Sequence, residues 1–140
     1  MSLEELREVF VQRLLNPVRF DLYGKLYTLV SRLQQNQVVC ELWIDGSFVT
    51  NKPEPDDIDL SVMIDVADYE KLTEPALQLL DDLVYVEAKY LDVLDAFVCI
   101  VHEEGDPRRS EDDPVEYAEL WGIEHNKNYL KGYVAVRVTP

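Results

Sequence analysis

VVCELWIDGSFVTNKPEPDDIDLSVMI, residues 38–64, is the stretch on which the fold turns. Its first part has period two: Val38, Cys40, Leu42 and Ile44 share one face, and Val39, Glu41, Trp43 and Asp45 share the other. Its last part has the same period, with Ile58, Leu60, Val62 and Ile64 alternating with Asp57, Asp59, Ser61 and Met63. Such alternation marks a half-buried strand, so two strands are expected here. Between them lie a Gly46-Ser47 turn and a proline-containing loop that ends in a cluster of aspartates.

Toward the N-terminus the period changes to that of helices. Ser2 followed by Glu5 is a capping box ahead of Leu3, Leu6 and Phe10, which predicts a short first helix. Asn16 and Pro17 supply a cap and a first-turn proline. Val18, Leu22, Leu26, Leu29 and Leu33 then mark one face of a longer helix that ends near Asn36 and packs on the sheet.

Toward the C-terminus, residues 66–83 read as a helix with Leu72, Leu79, Leu80 and Leu83 apolar and Pro75 either starting or kinking part of it. A third strand is expected over 93–101, where Leu94, Ala96, Val98 and Ile100 alternate with Asp95, Phe97 and Cys99. The polar loop HEEGDPRRSEDD, residues 102–113, follows. Asp113, Pro114 and Glu116 cap another helix through Tyr117, Leu120 and Trp121, and a last strand covers 133–138. Interleaved helices and strands in a chain of 140 residues imply one domain over 1–140, of α/β or α+β class, with a small mixed sheet flanked by helices.

Composition narrows the function. At 47% hydrophobic and 29% charged residues the chain is too apolar for disorder. No run approaches the roughly 18 apolar residues of a membrane span. The acidic start MSLEELREVF does not read as a signal peptide, so a cytoplasmic protein without membrane contact is expected. Cys40 and Cys99 lie among Val and Ile and read as small buried hydrophobes, not as a disulfide. Two histidines, His102 and His125, without a CxxC, do not suggest zinc. The 28 acidic against 13 basic residues give a net charge of −15, which repels long nucleic acid. That excess serves either solubility or a site that recruits divalent cations.

The aspartates are the candidates for such a cation site, with solvated surface charge as the alternative. Alternation puts Asp57 and Asp59 on one face with Cα atoms about 6.6 Å apart. Two like charges at that range oppose each other unless something positive sits between them. Mg²⁺ prefers carboxylate, water and phosphate oxygen and relieves that repulsion. Asp95 interrupts the apolar strand LDAFVCIV and is a third candidate ligand. Three carboxylates suit two metals about 3.5–4 Å apart, which together can drive an in-line displacement at phosphorus. Gly46 permits close backbone approach, and Ser47 with the amides after it can donate to a phosphate if they open a short helix.

Strand, Gly-Ser, about a dozen residues, Asp-x-Asp, and a carboxylate on a later strand: this order resembles the nucleotidyltransferase superfamily typified by DNA polymerase β. The matching residues are Gly46, Ser47, Asp57, Asp59 and Asp95. The stretch also looks like that of small bacterial and phage proteins placed in that superfamily. The resemblance implies transfer of a nucleoside monophosphate from a nucleoside triphosphate to an acceptor hydroxyl. It implies two Mg²⁺ ions, or Mn²⁺ in their place, on Asp57, Asp59 and Asp95, with the triphosphate on Gly46 and Ser47. Lys52, the only base in the loop FVTNKPEPD, and the pair Arg108 and Arg109 are candidate triphosphate contacts. The arginines have an alternative in local pairing with Glu103, Glu104, Glu111 or Asp112.

Trp43, Trp121, Tyr117, Tyr129 and Tyr133 are candidates either for base stacking or for packing. His102 and Lys131 are weaker candidates for a proton-transfer group and a cleft cation. The second functional reading is an inactive nucleotidyltransferase-like module that binds a partner protein, as an antitoxin, immunity or phage-encoded protein does. Its motives are the scarcity of bases in the triphosphate loop and the acidic surface.

Overall fold

A computed structural model describes residues 1–13, 15–85, 89–102 and 133–140. Ser2 Oγ accepts the Glu5 N–H at 3.1 Å and Glu5 Oε2 accepts the Ser2 N–H at 2.6 Å, so the capping box opens α1 (Leu3–Arg7). The helix then widens into a π turn over Glu8–Gln12, with Leu6 and Val11 buried. Asn16 Oδ1 accepts the Val18 N–H at 2.8 Å and Pro17 begins α2 (Pro17–Gln35).

At the other end of α2 the chain reverses through a Schellman motif. Val38 N–H bonds to Leu33 C=O at 2.9 Å, and Gln37 N–H bonds to Gln34 C=O at 3.1 Å. Leu33 and Val38, the hydrophobic pair of that motif, are both fully buried. Gln37 itself has φ +59°, a left-handed conformation that costs a side chain roughly 1–2 kcal/mol. Gln37→Gly is therefore expected to stabilise the fold by about 0.5–1 kcal/mol after the added flexibility of the unfolded chain is subtracted. A raised urea midpoint at unchanged slope is the result to look for.

The sheet is mixed and four-stranded, and with its flanking helices gives an α/β fold. Its strands are β1 (Cys40–Asp45), β2 (Ile58–Asp65), β3 (Leu94–Val101) and β4 (Val134–Val138), in the spatial order β3-β2-β1-β4. β1 runs antiparallel to β2 and to β4, while β2 and β3 are parallel. A parallel pair needs a crossover, here supplied by α3 (Val66–Tyr69) and α4 (Glu74–Tyr85). The single helix expected over 66–83 is thus two helices. Pro75 sits in the first turn of α4, where a missing N–H costs nothing, so it starts a helix and does not kink one.

One face of the sheet carries the core. Cys40, Leu42, Ile44, Ile58, Leu60, Val62, Ile64, Leu94, Val136 and Val138 join Leu22, Leu26, Leu29 and Leu33 of α2 and Leu79, Leu80 and Leu83 of α4 in one buried cluster. Each large aliphatic side chain so buried contributes roughly 1.5–3 kcal/mol. Val18, expected on the buried face of α2, is 36% exposed, and Arg19 is buried in its stead.

Cys40 and Cys99 do not form a disulfide with each other. Burial pushes the Cys40 thiol up to about 12. Cys99 is only half-buried, because its position alternates with the core residues of β3. Among the described residues no helix is long and apolar enough to cross a membrane. Arg108, Arg109, Lys131, the aromatics Tyr117, Trp121 and Tyr129, and the helix expected after Asp113 lie outside the described residues.

Candidate metal centre

The register of the sheet builds the site. Asp45 at the end of β1 faces Asp59 on β2, and Asp59 faces Asp95 on β3. Three aspartates therefore form one row across three adjacent strands, on the face opposite the core. Asp57 immediately precedes β2 and turns toward the same point. One carboxylate oxygen from each of Asp57, Asp59 and Asp95 lies within 4.8 Å of the others. Asp57 and Asp59 are half-buried and Asp95 is exposed, so the cluster opens to solvent on one side.

Three hard carboxylate oxygens at this separation fit Mg²⁺ or Mn²⁺, which bind oxygen and retain water on their open positions. Electrostatics within the cluster favour the same ligand class. Partial burial raises the pKa of Asp59 above its usual value, and the charges of Asp57, Asp95 and Asp45 raise it further, while Lys89 opposes them. Asp59 is thus costly to ionise in the metal-free fold. Because a raised carboxylate pKa gives stability only while the group is protonated, that contribution is lost as the pH climbs through the folded-state pKa.

Asp59→Asn is accordingly expected to raise the stability of the protein in EDTA at pH 7 by roughly 0.5–1 kcal/mol, a value discounted for partial exposure. The gain should shrink as the pH falls and the aspartate takes up its proton. With Mg²⁺ added, the wild type should gain stability and the variant should not. Thermal melts in the two media test this, and a lower Tm for the variant in EDTA at pH 7 would contradict it.

Gly46 follows Asp45 at the turn out of β1. Its φ is +80°, and a Cβ there would lie 2.3 Å from Asp59 Oδ2. The glycine is required both by backbone conformation and by the carboxylate packed against it. Ser47–Val49 then form one 3₁₀ turn, closed by Val49 N–H to Gly46 C=O and Thr50 N–H to Ser47 C=O.

Arg19 organises the loop that follows. Its side chain is fully buried and donates to backbone carbonyls of Phe10 at 2.9 Å, Phe48 at 2.6 Å, Thr50 at 2.7 Å and Lys52 at 2.5 Å, with Ser47 at 3.3 Å. Its guanidinium also lies over the Phe48 ring, 5.6 Å from the centroid. Burial lowers its pKa from the ordinary arginine value. In a trans peptide the N–H points opposite to the C=O. Turning the Ser47 and Thr50 carbonyls inward therefore directs the N–H groups of Phe48 and Asn51 away from the guanidinium.

Lys89, at the start of the turn before β3, forms an ion pair with Asp57. That hydrogen bond raises the lysine pKa, and the charges of Asp57, Asp95 and Asp59 add to the effect. The turn is well anchored. Asp92 N–H bonds to Lys89 C=O, Ile58 N–H bonds to Val93 C=O, and the buried Tyr90 hydroxyl accepts from Arg32.

Asp57, Asp59 and Asp95, selected from the sequence, meet in space, with Gly46 beside them. Lys52 has an exposed side chain, and its carbonyl accepts from Arg19. His102 follows the far end of β3, seven residues beyond Asp95 and thus about 23 Å along a strand, too far to exchange protons at this site. Trp43 and Tyr133 stack on each other, with centroids 4.8 Å apart.

Asp45, Lys89 and Arg19 were not singled out by sequence. For Arg19 a signal existed: positions 19, 22, 26, 29 and 33 step by three and four, the spacing of a buried helix face.

No curated protein and no solved structure matches the chain. The profile of a family described as being of unknown function, DUF6932, matches residues 1–137, and the chain belongs to that family.

Proposed function

We propose that the protein is a metal-dependent nucleotidyltransferase that moves a nucleoside monophosphate from a nucleoside triphosphate to an acceptor hydroxyl. The observation that carries this reading is the convergence of Asp57, Asp59 and Asp95 at the end of the sheet where Gly46 packs against Asp59. The order of these residues along the chain, which resembles that superfamily, supports it as well.

Asp57 and Asp59 would hold two divalent ions, and Asp95 one of them. Bound there, the ions supply positive charge to the phosphates and make the acceptor hydroxyl easier to deprotonate. The acceptor oxygen forms a bond to the α-phosphorus as the bond from that phosphorus to its bridging oxygen breaks. Pyrophosphate leaves with the electron pair, and Asp95 would take the hydroxyl proton. Gly46 keeps the backbone close enough for Ser47 and the outward amides of the loop to meet the phosphates. The carboxylate bearing the raised pKa gains most from an incoming cation, so metal binding should weaken on acidification earlier than for ordinary aspartates.

The test is label transfer. Wild-type protein incubated with α-labelled nucleoside triphosphates, Mg²⁺ or Mn²⁺ and a cell lysate should label an acceptor, and Asp59→Asn should not. Equal labelling, or none, in the two samples contradicts the reading. The absence of metal-dependent triphosphate binding, together with a stable protein partner recovered from the lysate, favours the inactive interaction module.

A further inference from the structure

We propose that Lys89 is the internal counter-ion of the carboxylate cluster, exchanged for the incoming divalent ion and then turned to the polyphosphate that accompanies it. This rests on the nucleotidyltransferase reading and adds to it a residue outside the Gly-Ser and aspartate pattern.

Asp45, Asp57, Asp59 and Asp95 bring four carboxylates to one end of the sheet. Lys89 reaches into this group and forms an ion pair with Asp57. Its ammonium holds Asp57 Oδ2, one of the two oxygens that Asp57 can offer a metal ion. A divalent ion carries twice the charge on a smaller radius, so it outcompetes an ammonium for carboxylate oxygen. The two cations then repel each other at close range.

Lys89 can leave without disturbing the fold. Its side chain is 43% exposed, while its backbone is fixed by the Asp92 hydrogen bond and by its neighbour, the buried Tyr90. A long flexible side chain on a fixed backbone swings its ammonium between the carboxylates and the rim of the site. On the rim, the negative charge nearest to it would be that of a metal-bound polyphosphate.

The two roles predict opposite effects for one substitution. In Lys89→Met, Mn²⁺ followed by electron paramagnetic resonance should bind about two- to fivefold more tightly than in the wild type, because no ammonium has to be displaced. At saturating Mn²⁺, a non-hydrolysable ATP analogue should bind about three- to tenfold more weakly, because a charge-assisted contact is gone. Lys89→Arg, which keeps the charge, should stay close to the wild type in both titrations. Circular dichroism verifies that the variants fold.

Mn²⁺ affinity that is unchanged or lower in Lys89→Met overturns the inference, as does unchanged affinity for the analogue. Failure of the wild type to bind Mn²⁺ has a different meaning, since it removes the metal centre itself. Mn²⁺ binding without any analogue binding by the wild type removes the nucleotide reading and, with it, the second role of Lys89.

Discussion

Replacing Arg19 by methionine is expected to destabilise the protein by about 3–5 kcal/mol, a large part of the stability of a domain this size. The side chain is fully buried, and its acceptors are backbone carbonyls from two separate regions, Phe10 in the π turn and Ser47, Phe48, Thr50 and Lys52 in the loop. Methionine fills much of the volume but donates nothing. The carbonyls of Phe10, Phe48, Thr50 and Lys52 would lose their guanidinium partner, whereas Ser47 keeps the Thr50 N–H and hydroxyl. Relief of the buried positive charge offsets part of this loss, which is why the figure is smaller than four broken charge-assisted bonds suggest. Lysine preserves the charge but not the planar fork, so Arg19→Lys should lie between methionine and the wild type. Urea denaturation measures both variants, and a loss below about 1 kcal/mol for methionine would mean that the loop does not depend on this clamp.

Gly46→Ala is the second large effect, and it acts on function more than on stability. The new Cβ would meet Asp59 Oδ2 at 2.3 Å, well inside contact distance, and the φ of +80° is unfavourable for alanine by roughly 1–2 kcal/mol. The carboxylate is the softer partner and would swing away, which removes Asp59 from the shared site with Asp57 and Asp95. Metal affinity should fall at least about tenfold and label transfer about a hundredfold or more, for a stability loss of about 2–3 kcal/mol. The diagnostic comparison is with Asp59→Asn. Gly46→Ala should match its loss of activity but, unlike it, lower the Tm in EDTA. An alanine variant that keeps full activity would show that Asp59 need not stay where it is.

Much of this arrangement could be read from residues 38–64. Strict alternation gave both central strands and their inward faces, and it placed Asp59 opposite the core. Gly46 and the aspartates were conspicuous because turn chemistry and uncompensated charge are local properties. What was not legible depends on distance in the chain. Asp45 faces Asp59 only through the antiparallel register, which a loop of this length does not fix from sequence. Lys89 reaches Asp57 across 32 residues and a crossover. Arg19 carries a charge, so its place on the buried face of α2 was given to Val18, although the three-four spacing pointed to it. Near Pro75, apolar spacing could not tell one kinked helix from two, because leucines continue on either side of the break. Loop residues such as Lys52 remained ambiguous for a further reason: a sequence names the side chain, whereas here the carbonyl is the group held.

The account stands on a divalent ion held jointly by Asp57, Asp59 and Asp95, and crystals soaked in Mn²⁺ test that most directly. An anomalous difference peak within about 2.0–2.4 Å of oxygens from all three side chains, with Lys89 withdrawn from Asp57, is the predicted result. Mn²⁺ bound elsewhere, or no peak among these carboxylates while Lys89 still holds Asp57, would contradict it.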